Sequence, residues 1–134
     1  MKTKRLLVLA AALCITLLAL FTSGCSVFHY ETNYTTGSEV FWEGRLNSRM
    51  ERPIPDVQRA AVAAYKGFGI KITKAAGDRL SGVVLGELAS GQAARTELSS
   101  ISQDETEVSI KIGDEGDKYI SHRLLVAIKQ NLKD

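Results

Sequence analysis

From residue 39 onward the chain changes hydrophobic period several times, and each change predicts an element. Residues 39–49 alternate, with Val40, Trp42 and Leu46 on one side and Glu43, Arg45, Asn47 and Arg49 on the other, interrupted at Phe41 and Gly44. A period of two among β-branched and aromatic residues predicts a strand with one wet face. Pro53 and Pro55 end it. Pro55 also suits the first turn of a helix, where a missing N–H is no loss, and Asp56 complements the positive end of the helix dipole. Over 56–68, Val57, Ala60, Ala61, Ala64 and Phe68 recur every three or four residues, which predicts a helix with one apolar stripe. Its alanines allow it to lie close to whatever it covers. Gly69 is placed for a left-handed stop, and Gly67 weakens the last turn by about 1 kcal/mol relative to Ala.

Four short strands are expected next. Ile70 and Ile72 alternate with Lys71 and Thr73 before a Gly77-Asp78 turn. Residues 80–88 are apolar at Leu80, Val83, Val84, Leu85 and Leu88, with Gly82 and Gly86 between, a pattern that predicts a bent or bulged strand. Ala89-Ser90-Gly91 leads into 92–99, which is weakly apolar at Ala94 and Leu98. Gln103-Asp104-Glu105 turns the chain into 106–112, where Val108, Ile110 and Ile112 alternate strictly with Glu107, Ser109 and Lys111. A final helix over 118–132 carries the stripe Ile120, Leu124, Leu125, Ile128 and Leu132, with Asp117 as N-cap and Lys129 and Lys133 at its negative end. The expected class is α+β, a mainly antiparallel sheet in the order β-α-β-β-β-β-α with both helices on one face.

The start of the chain follows a different rule. Lys2, Lys4 and Arg5 precede an almost wholly apolar run over 6–21 and then Thr22-Ser23-Gly24-Cys25. A run this short falls below the roughly 20 residues of a membrane span and fits a secretory signal peptide. Small residues directly before a cysteine resemble the lipobox of bacterial lipoproteins, although Thr22 stands where that pattern prefers Leu. The resemblance implies cleavage before Cys25, attachment of diacylglycerol there, and usually a further acyl chain such as palmitate. Each buried methylene contributes about 0.8 kcal/mol, so two or three chains make a lasting anchor. The division expected is a signal peptide over 1–24, a lipidated cysteine and linker over 25–38, and a single domain over 39–134. The linker is rich in Ser, Thr and Asn, and its Phe28, Tyr30 and Tyr34 either meet the membrane interface or pack on the domain. Ser26 replaces the Asp that marks inner-membrane retention in enterobacterial lipoproteins, which by the same resemblance favours the outer membrane.

Composition then narrows the classes of function. Of the 17 Lys+Arg, three precede Cys25, while none of the 15 Asp+Glu do, so the chain from Cys25 onward is close to −1 rather than the +2 of the whole. Such a balance argues against a nucleic-acid partner, which favours a basic excess or stripe. The two cysteines are Cys14, inside the apolar run, and Cys25. With the first removed and the second acylated, no internal disulfide and no cysteine-ligated metal is expected.

The strand leading to Pro55, the segment through Phe68-Gly69-Ile70, the Ser81-Gly82-Val83 strand and the Gly113-x-x-Gly116-Asp117 turn before Ile120-Ser121 and Leu124 carry a family likeness. Together they resemble a group of small Gram-negative lipoproteins catalogued only as a domain of unknown function. The likeness implies a place and a fold but no activity. The strand order is also similar to the helix-grip domains of the lipoprotein subunit of the β-barrel assembly machine, which is an analogy of fold alone.

Little in the sequence points to a reaction. His29 falls in the linker and His122 on the wet side of the last helix, with no carboxylate or cysteine at ligand or triad spacing. Gly113 to Asp117 has the form of an anion cradle before a helix, but Asp114, Glu115 and Asp117 would repel an anion, so the glycines read as turn formers. Arg45, Arg49, Arg52 and Arg59 would form an anion-binding surface if they converged. No nucleophile-elbow sequence is present. The expectation is therefore a non-enzymatic, lipid-anchored periplasmic lipoprotein without cofactor or metal, contacting the membrane through Cys25 and an envelope protein through its surface. The alternative is a module that holds a small apolar ligand or lipid between the sheet and the Ala-rich helix.

Overall fold

The computed structural model describes residues 39–133. Its elements are β1 (Val40–Trp42), β2 (Arg45–Met50), α1 (Ile54–Gly67), β3 (Lys71–Gly77), β4 (Ser81–Glu87), β5 (Ala93–Ser102), β6 (Glu105–Ile112) and α2 (Lys118–Asn131). The strands form one antiparallel sheet in the order β1-β2-β6-β5-β4-β3. Strands β3 to β6 follow one another as a meander, and the β1–β2 hairpin is set against β6 at its end. Helix α1 therefore crosses from the β2 side to the far edge at β3, and α2 returns over β6 and β2. Both helices cover the same face, and the expected α+β class and helix placement hold.

The leading strand differs from expectation, because it is a hairpin folded at Glu43-Gly44. Those residues have φ of 48° and 75°, and two left-handed residues in a two-residue loop give the turn whose twist suits antiparallel strands. The faces change accordingly. Phe41 lies opposite Leu46 and packs toward the core, while Val40 and Trp42 point to the other face.

Helix α1 begins at Ile54, with Pro53 in extended conformation before it, so Ile54 joins the core. Its buried stripe is Val57, Ala60, Ala61, Ala64 and Tyr65, and the expected Phe68, at the helix end, packs partly buried against the same core. The helix ends in paired reverse bonds, Ile70 N–H to Tyr65 O at 2.9 Å and Gly69 N–H to Lys66 O at 3.0 Å, with Gly69 at φ 68°. The bulge expected in β4 lies instead in its partner β3, between Ile72 and Lys74, and a second register shift in β5 turns Ile101 outward. The glycines of β4 serve close approach. A Cβ on Gly86 would lie 2.6 Å from Ile70 Cγ2 and 3.2 Å from Tyr65 Cδ2.

In β6 the strict alternation appears as expected, with Thr106, Val108, Ile110 and Ile112 buried. Helix α2 buries Leu124, Leu125 and Ile128 completely, a contribution of roughly 1.5–3 kcal/mol each. Asp117 caps it by accepting from Ile120 N–H at 2.9 Å. At its other end Asn131 Nδ2 donates to Ala60 O at 3.2 Å and ties the helices together.

Candidate functional site

The outer face of the sheet, which neither helix covers, carries an ordered set of charges. Side chains alternate between faces along each strand, so the cross-strand register defines rows. One row runs Lys111, Arg95, Leu85, Lys74 by direct pairing, and the register one step beyond Leu46↔Ile110 brings Arg45 level with Lys111 and Trp42 beyond it. Cations directly opposite each other repel. Glu97, in the next row, relieves part of this by accepting from Arg45 Nη1 at 2.6 Å and Arg95 Nε at 2.7 Å. Burial works against the ionised form of Glu97, but the bonds from Arg95 and then Arg45 outweigh it and hold the carboxyl below the ordinary glutamate range. No acidic group among the described residues is within ion-pair distance of Lys111. Of the other acids of this face, Glu107 stands opposite Arg49 and Glu87 opposite Lys71, while Glu105 stands opposite Ser102 and Glu43 is exposed in the β1–β2 turn. Beside the cationic row, Trp42 is 69% exposed and Val40 41%.

On the other side of β1, Glu39 fastens the start of the domain to α2. Its Oε1 lies 2.6 Å from Lys129 Nζ and its Oε2 lies 3.3 Å from His122 Nε2. His122 thus has a carboxylate neighbour, contrary to the expectation from spacing. The partner comes from 83 residues earlier, a separation at which local spacing carries no signal.

The Gly113 to Asp117 segment is a structural joint. Gly116 has φ 88°, and a Cβ there would lie 2.0 Å from Gly44 O, while one on Gly44 would lie 2.2 Å from Glu115 O. The two turns meet backbone to backbone. Asp117 is occupied as the cap of α2, so the glycines act as turn formers, as expected.

The space between α1 and the sheet is filled. Val57, Ala61, Tyr65, Val84, Thr96 and Ile110 have no exposed surface, which leaves no room for a water molecule around them. Tyr65 Oη donates to Val84 O at 3.1 Å and lies 3.0 Å from Thr96 Oγ1, which must be the donor of that bond because Tyr65 has one proton to give. Ser48 Oγ and Ser121 Oγ are buried without a hydrogen-bond partner among the described residues. Open clefts run along the outer surface of α1 and, at its N-terminal end, between Ile54, Leu80 and Gln103.

The four expected arginines do not converge. Arg45 and Arg49 lie on the outer sheet face, Arg59 pairs with Asp56 on α1, and Arg52 shares a cleft with Arg59 on the helix side. Cys25 and His29, with the segments expected to be signal peptide and linker, lie outside the described residues. The cationic row was missed because its members come from four strands and only the register aligns them. The available signal was the Gly44 interruption, which marks a turn and reverses the face assigned to Trp42.

None of the curated proteins compared with the chain matches it. A family model does match, over residues 8–131, nearly the whole length, and the chain belongs to the family described as "Protein of unknown function (DUF3568)".

Proposed function

We propose that this protein is a lipid-anchored lipoprotein of the cell envelope, acylated at Cys25 and facing the periplasm, with the outer membrane favoured by Ser26. Its domain acts by surface contact, as an interaction or accessory module, and not by catalysis. The observation that carries this reading is the sequence of cations, short apolar run and small residues ending at Cys25. The family match begins at residue 8 and includes Cys25, but the family carries no function. The filled space under α1 favours surface contact over the apolar-ligand alternative.

Cells fed radiolabelled palmitate are expected to yield a labelled product that fractionates with membranes, and Cys25→Ser is expected to abolish label and mature processing. An unlabelled product, or a Cys25→Ser variant that matures and fractionates as the parent does, overturns the anchor. For the contact role, crosslinking in intact cells followed by mass spectrometry should recover a specific envelope partner.

A further inference from the structure

We infer that the outer sheet face at the β1–β2 turn is a docking surface for the anionic phospholipid headgroups of the membrane that holds the chain, an inference that rests on acylation at Cys25. Charge is the first reason. From Cys25 onward the chain is slightly acidic, yet Arg45, Lys111, Arg95 and Lys74 share one row with no acid in it. Among the described residues Glu97 is the one carboxylate bonded to that row, and it is shared between Arg45 and Arg95. Opposed cations cost the sheet stability and are relieved by an external anion.

Apolar exposure is the second reason. Trp42 and Val40 stand at the end of this row and beside it, on the short edge strand, and Trp is a side chain suited to headgroup depth because its ring is apolar and its N–H polar. The tether is the third. Residues 26–38 join Cys25 to the domain, at most about 45 Å when extended, and the chain enters the described domain at Glu39, immediately before Val40. The lipid surface is therefore always within reach of this face. A diffusing acidic protein lacks that advantage.

Trp42 is the single tryptophan of the chain, so its fluorescence reports this surface alone. The mature acylated protein, beginning at Cys25, is reconstituted into vesicles of phosphatidylcholine, with or without phosphatidylglycerol. Co-sedimentation reads the anchor, and quenching of Trp42 by acrylamide, a neutral quencher, reads the face. On vesicles with phosphatidylglycerol, a blue-shifted emission and a several-fold drop in quenching are expected. Both should revert in Lys74→Glu/Lys111→Glu, checked for folding by circular dichroism, and in 1 M salt, where the screening length falls to about 3 Å. Equal quenching on both vesicle types while the protein co-sediments overturns the docking face and leaves the anchor standing. Failure to co-sediment removes the anchor and the docking with it. Protection seen in cells but not on vesicles assigns the face to a protein and overturns the lipid proposal.

Discussion

Tyr65 adds a buried phenol to a helix stripe expected to be hydrocarbon alone. Burial pushes its ionisation up to about 12, partly offset by the bond from Thr96. An unfolded tyrosine ionises near 10, so between about pH 10 and 12 the unfolded chain binds fewer protons and the fold loses stability as pH rises. Below pH 10 this contribution is fully present. Its size is roughly 3 kcal/mol, from two pH units at 1.36 kcal/mol each. Tyr65→Phe is expected to be about 1–2 kcal/mol less stable at pH 7, because Thr96 Oγ1 and Val84 O lose a buried partner. Urea titrations of both proteins from pH 8 to 12 should converge as pH rises and cross before about pH 12, because the loss exceeds the initial difference; parallel curves would refute the burial argument. The helix pattern passed over Tyr65 because hydropathy counts the hydroxyl against it. The acceptor and donor that make its burial tolerable, Val84 O and Thr96 Oγ1, belong to strands 19 and 31 residues away.

Among the elements, the joint between the first hairpin and the turn into α2 is where the fold is least tolerant. Gly116→Ala adds a Cβ against the Gly44 backbone at a left-handed φ, for which a loss of about 3 kcal/mol or more is expected. Asp117→Ala removes only the cap of α2 and should lose about 1 kcal/mol. Chemical denaturation midpoints of the two variants check this, and an equal loss in both would mean that the turns do not bear on each other. The Gly-x-x-Gly-Asp spacing was legible as a turn and cap. That its second glycine exists to admit another turn was not, because Gly44 lies 72 residues away. The same limit explains the misplaced bulge. Glycines in β4 looked like irregularity in that strand, whereas Gly86 clears space for Ile70 and Tyr65 and Gly82 for Leu98 and Ile54, and the register shift falls in β3.

At the scale of the molecule, Glu97 is the counter-charge that lets the outer face assemble. Its lowered ionisation means that its contribution is present above the ordinary glutamate range and is lost as pH falls through the folded value. Glu97→Gln should cost about 1 kcal/mol at low salt, less in high salt, since the carboxylate is partly exposed and the repulsion left behind is screened. Thermal melts in low and high salt decide it; a loss independent of salt would assign Glu97 a packing role. The sequence by itself determined the element types, the α+β class, the glycine stop of α1, the cap of α2 and the single candidate acylation site, because each depends on residues within a few positions of one another. The tertiary structure alone decided which face Trp42 takes, what pairs with Glu39, what fills the space under α1 and which cations stand in a row. Those depend on strand register and on chain closure over tens of residues, where local periodicity is silent and only the packing of β2 against β6 fixes the neighbours.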